Sequence, residues 1–152
     1  VQYLSRIVTI SLEGAPTPWQ RPAQMRGSTA RFDAQAETKN THSIIALKQI
    51  LEWHGETCSK RDSRSPMYPA GTPVAIQYNF FFESPARPST DFPSKCDLDN
   101  LIKYYNDMLQ SFYMKGVLWE DDRQITKILA QKQWTPHKSR TEITIIADYE
   151  GK

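Results

Sequence analysis

Asp97-Leu98-Asp99-Asn100 is where the residue types of this chain first suggest chemistry. On an extended approach to a helix, residues two apart point the same way, so Asp97 and Asp99 aim at one volume while Leu98 turns inward. Beyond them Asp99, Lys103 and Asp107 recur at helical spacing, nearly opposite an apolar stripe of Leu101, Ile102, Tyr105, Met108 and Leu109. A second acidic group, Glu120-Asp121-Asp122, follows the apolar turn Gly116-Val117-Leu118-Trp119. Two carboxylates before a helix and one or two after it can converge on a hard cation such as Mg²⁺, which takes oxygen ligands and usually keeps several waters. Each piece also has an ordinary reading: Asp99 as a helix N-cap, Asp99 and Lys103 as an i,i+4 pair, Asp121-Asp122 as a solvated turn.

The charge pattern suits the chemical reading. Residues 97–122 carry six acids against two bases, a net −4, inside a chain whose total is +2. A small acidic centre in a basic surround is what a metal-dependent enzyme acting on a polyanion needs: acids for the cation, lysines and arginines for phosphates. Two loops carry basic clusters. Arg21, Arg26 and Arg31 are regularly spaced in one, with Trp19 and Phe32 among them, and Lys60, Arg61 and Arg64 lie in the other. Basic loops beside a cleft suit DNA-backbone contacts that position without reading sequence, and an aromatic from either loop could wedge into opened DNA. The alternative is that these are simply solvated loops.

Other chemistries find little support. His42, His54 and His137 form no recognisable metal pattern, and Cys58 and Cys96 are too few for a disulfide scaffold or a four-cysteine zinc site. There is no Gly-x-x-x-x-Gly-Lys phosphate loop. Carboxylates beside Cys96 should raise its pKa and leave it unreactive. No apolar run approaches the roughly 20 residues of a membrane helix, and no leader pattern opens the chain, so the expectation is a soluble, cytoplasmic protein.

The elements that must position these groups follow from periodicity. The 152 residues are the length of a single domain, 1–152. Residues 3–13 alternate, with Val8, Ile10 and Leu12 on one face, and read as a half-buried strand. Residues 14–41 read as a long loop. Asn40-Thr41-His42-Ser43 offers N-caps for a helix over about 42–56, with Ile44, Leu47 and Leu51 at helical spacing. A polar loop follows over 57–72. A strand over 73–84 puts Val74, Ile76, Tyr78, Phe80 and Phe82 on one face. A helix over about 99–113 carries the stripe above, and strands over 124–134 and 141–149 close the chain. The fold class expected is α+β: a mixed β-sheet with helices packed against it, in the order β-α-β-α-β-β. Tyr78, Phe80 and Phe82 read as core residues, not as a base-stacking platform.

The string "CDLDNLIKYYNDML…GVLWEDDRQITKILAQK" resembles the RusA family of Holliday-junction endonucleases, found mostly in phages and their bacterial hosts. That family's pattern is an Asp-Leu-Asp-Asn-Leu-x-Lys helix start, a later Asp-x-Leu, then Asp-Asp-x-Gln-Ile leading into a strand that carries a lysine. Here these are Asp97 to Lys103, Asp107-Met108-Leu109, and Asp121-Asp122-Arg123-Gln124-Ile125 with Lys132. The segment "GAPTPWQRP", with Gly14, Pro16, Arg21 and Pro22, is similar to the family's Gly-x-Pro…Arg-Pro loop. Cys96 stands where many members have proline, and the segment between helix and acidic turn is long.

The resemblance implies a homodimeric, Mg²⁺-dependent resolvase that nicks two opposed strands of four-way DNA. It implies Asp97, Asp99 and Asp122 as metal-binding catalytic carboxylates and Lys103 as a catalytic lysine. Asp107 and Asp121 would then form an outer layer that holds Lys103 or a water on the ion. Arg21, Arg26, Arg31, Lys60, Arg61 and Lys132 would meet DNA. The rival readings are a branched-DNA-binding protein without catalysis and a metal-dependent phosphohydrolase acting on nucleotides or RNA.

Overall fold

The structure is a computed structural model that describes residues 7–21, 23–24, 27, 31–59, 66–111 and 113–148. Its elements are strands β1 (Ile7–Glu13), β2 (Ala23–Gln24) and β3 (Arg31–Phe32), helix α1 (Ala36–Ser59), strand β4 (Val74–Glu83), helix α2 (Leu98–Leu109), and strands β5 (Ile125–Thr135) and β6 (Arg140–Ala147). Four strands form one mixed sheet in the order β1-β6-β4-β5, with β4 and β5 parallel and the other neighbours antiparallel. The parallel pair needs a long crossover, and α2 lies within it. The expected α+β class and the order β-α-β-α-β-β are both found, with β2 and β3 added as a two-stranded ladder of their own.

Alternation decides which sheet face is buried. Val8, Ile10 and Leu12 of β1, Ile143 and Ile145 of β6, and Val74, Ile76, Tyr78, Phe80 and Phe82 of β4 all join one core. Register stacks them in rows, with Ile10 and Tyr78 both opposite Ile143. Helix α2 closes this core with Leu101, Tyr105, Met108 and Leu109, as its stripe requires, and adds Tyr104, which the stripe omitted. Its termination comes earlier than expected. The Gln110 amide turns back onto Asp107 and Met108, and Gly116, at φ +74°, lets the chain reverse so that Leu118 and Trp119 re-enter the core.

The reading of residues 14–41 as loop, with a helix from about 42, is corrected. Helix α1 starts at Ala36. Asp33 prepares that start: its carboxylate accepts from the Gln35 amide at 2.8 Å and from Lys39 Nζ at 2.7 Å. The hydroxyl residues taken for caps are inside the helix, where Thr41 and Ser43 donate back to the carbonyls of Glu37 and Lys39. Cap-type side chains bond to a carbonyl four residues back as readily as they start a helix, so composition alone misplaced the boundary. The buried face of α1 is correspondingly rotated, with Ser43, Ala46 and Ile50 inside and Ile44 40% exposed.

Candidate active site

Helix α2 presents the first group. Asp97 is its N-cap in extended conformation, yet its side chain makes no capping hydrogen bond. An N-cap aspartate ordinarily folds back on the free amides of the first turn. Asp97 and Asp99 are both exposed, and among the described residues no ion pair engages either of them. The ordinary N-cap reading of these carboxylates therefore has no support in the geometry. Lys132 fixes the backbone just before them. From β5, opposite Phe80, its ammonium donates to the Cys96 carbonyl at 2.6 Å. Burial pushes the Cys96 thiol pKa up, with Lys132 opposing and Asp97 adding to the rise.

One turn further, Lys103 does not pair with Asp99. Its ammonium lies 3.5 Å from the centre of the Trp19 ring. Trp19 is partly buried and packs on the core, so it is a shelf and not a free wedge. Asp107 completes this exposed face of α2. Partial burial raises its carboxyl pKa, Asp33 and Asp122 add to the rise, and Lys39 and Lys103 oppose it. Among the described residues Asp107 makes no ion pair with Lys103.

The acidic turn separates its two aspartates. Asp121 caps the 3₁₀ turn Asp122–Gln124, accepts from the Arg123 amide at 2.8 Å and pairs with the Arg123 guanidinium at 2.9 Å. That side chain is committed to Arg123, not to Lys103. Asp122 turns the other way and accepts from Nε1 of the fully buried Trp119 at 2.9 Å. Its charge reaches Tyr78, whose hydroxyl pKa is raised by burial and further by Tyr105 and Asp122. Tyr78 donates to Asn106 on α2.

Gln124 holds the turn in place. Its buried side chain accepts from the Glu120 and Asp121 amides and lies within 3.1 Å of the carbonyls of Tyr68, Pro69 and Thr72. It appears in the sequence pattern, but its role becomes visible only through these partners some fifty residues away. Gln124→Ala is expected to destabilise the protein by about 2–3 kcal/mol, since buried amides and carbonyls lose their partners. Urea unfolding of mutant and wild type checks this, and a loss below about 0.5 kcal/mol would show that other contacts hold the turn.

The carboxylates are not drawn around one point. Among the described residues, no three His, Cys, Asp or Glu side chains stand close enough to hold an ion. The donor set nevertheless has the chemistry of a hard-cation site: Asp97 and Asp99 are exposed at a helix start, and Asp122 keeps its second oxygen. Of the basic residues expected at DNA, Arg21 is exposed, whereas Lys132 is half-buried with its ammonium on the Cys96 carbonyl, so it braces the backbone instead of standing free for phosphate. Arg31 is placed through its backbone in β3, while Arg26, Lys60 and Arg61 lie outside the described residues. Among the described residues, no helix is long and apolar enough to cross a membrane.

Comparison with known proteins agrees with the pattern. The family described as endodeoxyribonuclease RusA matches residues 13–146. No curated protein matches the chain. Among solved structures, a dihydroxyacetone kinase operon co-activator, Dha-DhaQ, is similar at 11% identity and a TM-score of 0.39. The similarity covers 96% of this chain and 41% of that one, and is too slight to carry an argument.

Proposed function

The chain belongs to the endodeoxyribonuclease RusA family, and on that premise we propose that it resolves Holliday junctions by paired, Mg²⁺-dependent nicks in opposed strands. The observation that carries this reading is the start of α2, where Asp97 and Asp99 stand exposed and uncapped with Lys103 one turn on. Asp97, Asp99 and Asp122 would hold the ion. When bound, Mg²⁺ supplies charge neutralisation and a nucleophilic water for phosphodiester hydrolysis.

The protein's own side chains then have separate tasks. Lys103 donates to a non-bridging oxygen of the scissile phosphate, where negative charge grows during attack. Lys132 holds the peptide before Asp97, so the first carboxylate is aimed by β5 as well as by α2. Trp119 orients Asp122 through its indole N–H. Asp107 shares the exposed face of α2 with Lys103 without pairing with it, and would hold a water beside the ion. Arg21, Arg26, Arg31, Lys60 and Arg61 meet the DNA backbone.

Paired nicks need two such sites in fixed relation, which a two-fold homodimer provides on a two-fold junction. Incubating the protein with a labelled four-way junction, with and without Mg²⁺, beside linear duplex and single strands, tests the reading. Symmetric nicks in the junction alone, only with Mg²⁺, are the expected result. Binding without cleavage at any Mg²⁺ concentration would favour a branched-DNA-binding protein, and cleavage of nucleotides or RNA a phosphohydrolase. Sedimentation should show a dimer at cleaving concentrations. A species of 17.6 kDa that still makes paired cuts would remove the symmetry argument.

A further inference from the structure

Lys103 stands between two aspartates on its own helix, Asp99 four residues before it and Asp107 four after. Either could pair with it, and a lysine so paired would cancel a carboxylate and lose donors meant for phosphate. Neither does among the described residues. The ammonium sits instead 3.5 Å from the Trp19 ring centre. An aromatic face attracts a cation through its quadrupole and leaves the N–H groups directed away from the ring free to donate.

The ring is held by the fold. The Trp19 amide donates to the Asn100 carbonyl at 2.9 Å, tying it to the first turn of α2. Both neighbouring peptides are gripped by one buried side chain. Gln35 donates from its amide nitrogen to the Pro18 carbonyl at 2.8 Å and accepts from the Gln20 amide at 3.0 Å. The Thr17 amide donates to the Tyr105 hydroxyl at 3.0 Å. Four hydrogen bonds, two with α2 and two with Gln35 just before α1, thus fix residues 17–20 beside the helix that carries the lysine.

We propose that Trp19 is a positioning residue for Lys103: its indole face holds the ammonium apart from Asp99 and Asp107 and presents it, unpaired, to the scissile phosphate. This rests on the reading of Lys103 as a phosphate-binding group in the cleavage reaction. Trp19 acts only through the lysine.

The test compares wild type with Trp19→Leu, Trp19→Phe, Lys103→Met and the double variant Trp19→Leu/Lys103→Met. Single-turnover cleavage of a four-way junction, junction affinity and thermal midpoint are measured for each. Trp19→Leu should slow cleavage about three- to thirtyfold with affinity little changed, and Trp19→Phe should recover most of the rate. Adding Trp19→Leu to Lys103→Met should cost no further rate, because the residue it positions is already gone. In the free protein, the Lys103 side-chain ε-proton resonances should be shifted upfield by the indole ring and return to ordinary values in Trp19→Leu. Additive losses in the double variant, a phenylalanine no better than leucine, or a normal rate for Trp19→Leu beside a slow Lys103→Met would overturn the proposal alone. Normal cleavage by Lys103→Met would overturn the role of the lysine and, with it, that of the ring.

Discussion

Asp97→Asn and Asp99→Asn are each expected to reduce junction cleavage by at least about a thousandfold, equivalent to about 4 kcal/mol of barrier, while junction binding stays intact or tightens. An amide keeps the size of the carboxylate but loses the charge that would hold a hard cation, so on the proposed reading the chemical step would lose its Lewis acid. The same change removes a negative charge from beside the DNA phosphates, so repulsion falls. Folding should be nearly unaffected, because neither residue is buried and Asp97 makes no capping hydrogen bond that the mutation could break. Cleavage rate, junction affinity and thermal midpoint together separate this outcome from misfolding. Robust Mg²⁺-dependent cleavage by either mutant would sink the assignment of these carboxylates.

Lys103→Met should slow cleavage by about 10²–10³-fold with the thermal midpoint little changed. Methionine keeps an unbranched chain of similar length but removes the charge that would stabilise the phosphate in the transition state. The exposed lysine makes no ion pair among the described residues, and it loses only its contact with the Trp19 ring. Cation–π contacts at exposed sites contribute about 0.5–1 kcal/mol, too little to unfold the chain. The rate effect and the stability effect are therefore separable in size. A near-normal single-turnover rate would return Lys103 to the role of a surface residue and leave the carboxylates to carry the chemistry.

Much of the frame was legible in the chain itself. Strands β1 and β4 could be read from period-two alternation, because a half-buried strand has no other way to divide core from solvent. The face of α2 bearing Asp99, Lys103 and Asp107 was readable for the same kind of reason, since the stripe of Leu101, Tyr105 and Met108 leaves it the outward side. Helix α1 was harder. Its start depends on the Asp33 side chain, while Thr41 and Ser43, which resemble caps by type, bond backwards inside the helix.

What the sequence determined by itself was local: which faces of β1, β4 and α2 are apolar, and which acids and lysine share the solvent side of one helix. Repeating patterns settle such questions because the covalent chain sets the period. The tertiary structure alone decided the partners: Trp19 under Lys103, Lys132 on the Cys96 carbonyl, Gln124 between the acidic turn and residues 68–72, and the opposite aims of Asp121 and Asp122. Each joins side chains to groups whose positions depend on how loops and strands close over the core. No period in the chain encodes that closure, since the groups are brought together by packing and by the need to satisfy buried hydrogen-bonding atoms.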